Sequence, residues 1–210
     1  MGPFKYGGVI VDNDHCDPGV WNNHGSIVEF KGKWYVFYHR STHGCYTMRK
    51  ACIEPITFNE DGSINEVEMT TQGAGGPLNA VQQIDAEKAC LLYGNVKIQA
   101  CASDNEELGG IRNDDKAAYK YIDFGEGMNQ VSIRVAPGLK ESRIEVVIDH
   151  SWGQPVSNIQ VPGKGNLKTW DTLTGAIKNV KGVHAVWLRF YGDGEDLCRV
   201  DWFRFDKSGK

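Results

Sequence analysis

NQVSIRVAPG, residues 129–138, decides the fold class. Val131, Ile133 and Val135 alternate with Ser132 and Arg134, and a period of two sends the apolar set to one face of a strand and the polar set to the other. A strand divided in this way belongs to a sheet covered on one side by a second sheet. The theme repeats at short intervals in AYKYIDFG (118–125), RIEVVID (143–149), SNIQVPG (157–163), HAVWLRFYG (184–192) and CRVDWFRF (198–205). Gly, Pro and β-branched clusters interrupt every periodic segment here, so no long helix is expected. Many short, evenly spaced strands specify an all-β sandwich or small barrel.

Upstream, TTQGAGGPLNA (70–80) combines three glycines and a proline with few large apolar groups and reads as a boundary. It divides the chain into a first block, residues 1–75, and a second, residues 82–206. The first block offers four short runs, VIV (9–11), SIVEF (26–30), KWYVFYH (33–39) and YTMRKACI (46–53). Lys31-Gly32 is placed to turn a tight hairpin, and Glu60 to Ser63 forms a second turn. One sheet with an apolar face needs another layer. That layer is the sandwich, a second copy of the chain, which would self-associate through the open sheet, or something absent from this chain.

Composition narrows the partners. With 27 acidic and 23 basic residues the formal net charge is -4, so neither nucleic acid nor an anionic membrane surface is expected as a partner. No apolar run approaches the roughly 20 residues of a membrane span, and the opening MGPFKYGGVIVDND lacks the pattern of a signal peptide. Six cysteines without CxxC spacing argue against a clustered zinc site; Cys90, Cys101 and Cys198 lie in apolar contexts and read as buried free thiols.

Motifs for chemistry are sparse. His15, His24, His39 and His43 are spaced by 9, 15 and 4 residues, too irregular for a compact metal site. Asp12, Asp14 and Asp17 lack the spacing of a calcium loop. No nucleophile elbow, phosphate loop, dinucleotide fingerprint or HExxH is present. Among the aromatics, Trp34, Trp187 and Trp202 sit in apolar strands and read as core. Trp152, in HSWGQP, and Trp21 and Tyr93, beside Asn and Gly, are the rings placed to stack on a sugar.

Residues 82–206 resemble the family 6 carbohydrate-binding modules. QQIDAEKA (82–89) is similar to that family's opening strand, LGGIRNDDKAAYKYIDFG (108–125) to its glycine, acidic-turn and tyrosine pattern, and GVHAVWLRFYGDGEDLCRVDWFRF (182–205) to its ending. The resemblance implies a β-sandwich jelly roll and a structural calcium ion, Ca2+, held by Asp85, Glu87 and Asp201, with oxygen ligands suited to a hard cation. The family's sugar clamp of two rings and an asparagine falls here on Gly110, Leu167 and Arg199. Carbohydrate contact is therefore expected at Tyr93 and Trp152, outside the usual clamp, and at Arg199, the clamp position that keeps a hydrogen-bond donor.

Residues 2–73 resemble the last part of a family 43 glycoside hydrolase, a five-bladed β-propeller. GPFKYGGVIVDN (2–13) is similar to the end of its fourth blade, WNNHGSIVEFKGKWYVFYHR (21–40) to its fifth, and ACIEPITFNEDGSINEVEMTTQG (51–73) to its closure. His24 inherits the axial histidine of the active centre, while the blades that carry the catalytic carboxylates have no counterpart. The combined expectation is partial propeller blades followed by a β-sandwich jelly roll, secreted or cell-surface, associating with plant cell-wall polysaccharide and non-catalytic as this chain. Hydrolysis as a β-xylosidase or α-L-arabinofuranosidase, and a sandwich that only buttresses a propeller, are the alternatives.

Overall fold

A computed structural model describes residues 2–15, 23–102, 105–163 and 165–207. Fifteen strands follow in chain order: β1 (Ser26–Phe30), β2 (Lys33–Thr42), β3 (Cys45–Ile56), β4 (Leu78–Asn79), β5 (Ile84–Asp85), β6 (Leu91–Tyr93), β7 (Lys97–Ala102), β8 (Asn105–Gly109), β9 (Lys116–Asp123), β10 (Met128–Pro137), β11 (Ser142–Ile148), β12 (Pro155–Val161), β13 (Asp171–Val180), β14 (Val183–Gly192) and β15 (Cys198–Asp206). One short 3-10 turn, Ala86–Lys88, follows β5.

Two six-stranded sheets form the sandwich. The first runs β13-β10-β15-β8-β7 with β5 also paired to β15; the second runs β12-β11-β14-β9-β4 with β6 also paired to β9. Between them lie Val131, Ile133 and Val135 of β10, Phe203 and Phe205 of β15, Ile144 and Val146 of β11, and Val186, Leu188 and Phe190 of β14, all essentially inaccessible to water. Removing each such side chain from water contributes about 1.5–3 kcal/mol. Tyr119 is buried among them, and its hydroxyl donates to the Ala86 carbonyl at 2.8 Å, as a polar atom in a core requires.

Strand β15 keeps its apolar residues inward by a bulge. Arg134 pairs with Trp202 but Val135 with Val200, leaving Asp201 as the extra residue. Cys198 and Val200 before it, and Phe203 and Phe205 after it, therefore all face the core, while Asp201 and Trp202 are both partly exposed. Strand β9 does the same between Tyr119 and Ile122, where the register to β14 shifts.

The expected propeller blades are not present. Among the described residues the first block contributes a single three-stranded antiparallel sheet, β1-β2-β3, neither curled nor closed. Residues 9–11, expected to pair as a strand, form none; Ile10 instead accepts a backbone hydrogen bond from Val67 at 2.6 Å. Short apolar runs between Gly7-Gly8 and Asp12-Asn13 are too brief to hold a ladder. The fold is all-β with a jelly-roll sandwich and one added sheet, and the partial-propeller reading is corrected accordingly. The Lys31-Gly32 turn does form, both residues having positive φ, 52° and 75°, as a tight hairpin demands.

The added sheet leans on the sandwich. In β2, Val36, Tyr38 and Arg40 share the buried face. Tyr38 packs with Met69, Val11, Cys52 and Leu91, and Arg40 Nη1 donates to the carbonyls of Ala89 and Cys90 at 3.1 and 2.7 Å. Lys50 Nζ donates to the Glu87 carbonyl at 2.9 Å. The other face stays open at Phe37, 43 % exposed, while Trp34, expected in a core and in phase with Val36 and Tyr38, is 39 % exposed at the strand end against Phe58.

Candidate functional site

Alternation along β11 and β14 sends polar side chains to the outer face of the second sheet. Register aligns Asn158, Glu145, Arg189, Lys116 and Tyr93 in one row across β12, β11, β14, β9 and β6. The next row carries Gln160, Arg143 and Tyr191. Glu145 is nearly buried and serves two guanidinium groups, accepting from Arg189 Nε at 3.0 Å and pairing with Arg143 at 3.1 Å. Both guanidinium groups lie over the Tyr191 ring, at 4.9 Å for Arg143 and 5.9 Å for Arg189. These stacked, ion-paired side chains are held in place before any ligand arrives.

The turn between β11 and β12 adds the exposed ring. Trp152 is 78 % exposed, with one face stacked on His150 at 4.9 Å and 13°. Arg189 Nη1 donates to the carbonyl of Ser151 at 3.0 Å, tying the residue before Trp152 to the charged row. At the base of the turn Asp149 accepts from the Ala185 N–H and interacts with His184 Nδ1 at 3.0 Å, while Trp187 Nε1 donates to the Asp149 carbonyl. Trp187 is buried, as expected for a core residue.

Tyr93 borders the same face but is covered. His15 stacks on its ring at 4.1 Å, and Trp187 approaches at 5.8 Å; burial pushes the Tyr93 hydroxyl up from its ordinary pKa. The structure thus brings Tyr93 and Trp152 to one sheet, and it places Arg199 on the other. Arg199 pairs with the fully buried Glu107 at 3.2 Å, and Gln99 donates to the same carboxylate at 2.6 Å. Trp202, expected in the core, is partly exposed on that sheet with Arg204 at 6.0 Å. Trp21 lies outside the described residues.

At the loop end of the sandwich, Leu139, Lys140, Leu167 and residues 193–197 line a groove of roughly 300 Å³. No ring borders it. Gly110 has φ +63° with a Cβ position 3.3 Å from the Asn95 carbonyl, and Leu167 has φ +58°. His24 sits elsewhere, against His39 at 4.5 Å and lining a cavity between residues 6–11 and β1. Without a propeller it has no axial position to occupy.

Asp85, Glu87 and Asp201 are the oxygen donors expected for a hard cation. Glu87 Oε2 is buried and has no hydrogen-bond partner, and burial, together with the nearby Asp85 charge, raises the Glu87 pKa. That orphaned oxygen fits a cation. Burial works against ionised Asp85, but hydrogen bonds from Gln83 and Lys88 outweigh it and hold its pKa below the ordinary value. Asp201 accepts from Asn105 at 2.9 Å and pairs with Arg134 at 3.1 Å. Among the described residues no three His, Cys, Asp or Glu side chains are gathered to hold a metal.

Cys90 and Cys198 are buried free thiols, whereas Cys101 is only partly buried. Sequence reading passed over Arg143, Glu145, Arg189 and Tyr191. The signal was present in RIEVV and LRFY, where charged or hydroxyl-bearing residues recur every second position between residues destined for the core.

Comparison with known proteins agrees with this architecture. Residues 85–207 match the carbohydrate binding module (family 6) description. A xylosidase/arabinosidase of Thermoclostridium stercorarium is 34 % identical over 227 residues, covering 91 % of this chain and 46 % of the relative. A family 43 arabinoxylan arabinofuranohydrolase from Bacillus subtilis, solved with cellotetraose, is 31 % identical with a TM-score of 0.66, covering 99 % of this chain and 45 % of that one. CsCBM6-3 from Clostridium stercorarium, solved with cellobiose, is 33 % identical with a TM-score of 0.59, covering 64 % of this chain and 100 % of that one. The chain spans about half the length of the two longer relatives.

Proposed function

The chain belongs to carbohydrate-binding module family 6 through residues 85–207, and from that premise we propose that it binds plant cell-wall polysaccharide of the xylan or arabinoxylan class through the outer face of β12-β11-β14-β9. The observation that carries the reading is Trp152: a tryptophan 78 % exposed, fixed on one side by His150 and free on the other. A sugar ring stacks on such a face through its C–H groups, while Arg189, Glu145 and Asn158 supply donors and acceptors for hydroxyls along the row. Tyr93 borders the site and supports it rather than stacking. The names of the relatives support xylan or arabinoxylan as the ligand, and a cell-wall polymer of that class is met outside the cell.

Isothermal titration with xylo- and arabinoxylo-oligosaccharides tests this. Trp152→Ala is expected to weaken binding by about tenfold or more, the effect of truncating an aromatic hot spot, without changing the melting temperature. Unchanged affinity in that variant would reject the site. We also propose a structural calcium ion held by Glu87 with Asp85; Glu87 Oε2 supports it as a buried acceptor that no protein donor satisfies, and calcium would supply that missing countercharge.

A further inference from the structure

Charge on the proposed sugar face is unbalanced. Arg143, Arg189 and Lys116 are three cations; Glu145 answers the two arginines, and Asp114 pairs with Lys116 at 3.4 Å. Within these two rows one positive charge remains in surplus, while the Asp149 carboxylate at the base of the turn faces His184 at 3.0 Å. Arg143 is the accessible member, with its side chain 41 % exposed against 12 % for Arg189. Its guanidinium carbon lies over the Tyr191 ring, and its Nε is buried there without a hydrogen-bond partner, so the exposed part of the group is its Nη end. A neutral glycan needs no such group, whereas a carboxylate fits the donor fork of an arginine already oriented by a ring.

We infer that this face selects an acidic sugar: a polysaccharide bearing uronic acid branches, whose carboxylate meets Arg143 while the neutral backbone stacks on Trp152. The inference rests on the binding reading given above and adds the class of ligand to it. Arg143 is then the residue that sets preference and Trp152 the residue that sets affinity. The attraction is electrostatic and partly exposed, so it weakens with salt in a way that stacking does not.

The test compares a neutral xylo-oligosaccharide with the same oligosaccharide carrying one glucuronic acid branch, by titration on the full chain. At about 0.01 M ionic strength, where the screening length is about 30 Å, the acidic ligand is expected to bind roughly fivefold tighter, and at about 1 M, where it is about 3 Å, the two converge. Arg143→Gln should erase the preference, so that the two ligands bind that variant equally at low salt, and Arg143→Lys should retain most of it. Equal binding of the two ligands at low salt, with both lost in Trp152→Ala, overturns the acidic-sugar inference and leaves the binding site standing. Binding of neither ligand, or binding indifferent to Trp152→Ala, overturns both.

Discussion

Deleting Asp201 gives the most direct trial of how β15 is built. The bulge opposes Val200, Asp201 and Trp202 to only Arg134 and Val135, and it alone lets Cys198 and Val200 face the same core as Phe203 and Phe205. With Asp201 removed, strict alternation sends one of these pairs to water, because a slip of one residue exchanges the faces. If the phenylalanines turn outward, two fully buried rings are lost, at about 1.5–3 kcal/mol each or about 3–6 kcal/mol in total from transfer alone. That is a large part of the about 5–15 kcal/mol that holds an ordinary domain together. Asp201→Ala keeps the residue count and loses only the Arg134 pair and the Asn105 hydrogen bond, at about 1 kcal/mol. Urea unfolding followed by near-ultraviolet circular dichroism distinguishes the two variants. A deletion no more destabilising than the alanine substitution would refute the claim that the bulge fixes the register.

Three further outcomes follow from buried groups and backbone geometry. Burial raises the Glu54 pKa above its ordinary 4.5 despite hydrogen bonds from Thr70, so its contribution to stability is full below that ordinary value and is lost as pH rises through the raised folded one; Glu54→Gln should flatten this part of the pH–stability curve, and superimposable curves would contradict it. Calcium should raise the melting temperature of the wild-type chain and chelator lower it, with the response gone in Glu87→Gln; a shift of equal size in that variant would exclude Glu87 as ligand. Gly110→Tyr should fail to rebuild a ring platform and should cost about 1–2 kcal/mol, because a side chain at φ +63° adopts a left-handed conformation; a gain in affinity without loss of stability would show that the loop end remains a working sugar site.

Much of the sandwich could be read from residue spacing. Val131, Ile133 and Val135 predict the inward face of β10 and take it. The bulges were legible too, though only in retrospect: apolar residues at 198, 200, 203 and 205, and at 117, 119, 122 and 124, step by two, three and two, and the step of three marks where the strand changes phase. The first block misled because resemblance of sequence order cannot say whether strands pair. Residues 9–11 have strand-forming side chains, yet a ladder needs a partner along its length, and Ile10 finds only Val67. Trp34 was misplaced for a similar reason, since an apolar strand reads as core whether or not a second layer covers it.

The proposed sugar face was the least legible part because it is assembled from residues that mean little singly. Trp152 stood out by its polar neighbours, but exposure alone does not make a platform; a loose surface ring would lose entropy on binding. What distinguishes Trp152 is the fixed turn beneath it. Asp149, at φ +64°, gathers His184, the Ala185 N–H and the Trp187 indole, and Arg189 grips the Ser151 carbonyl. The same Arg189 belongs to the row that includes Glu145, so the ring and the polar groups are held by one shared side chain. At the other end of the row His15 covers Tyr93, and the added sheet secures the neighbouring Ala89 and Cys90 carbonyls through Arg40. The first block therefore closes one end of the face and leaves the Trp152 end open, which is why binding is assigned to Trp152 and not to the more aromatic Tyr93–Trp187 side.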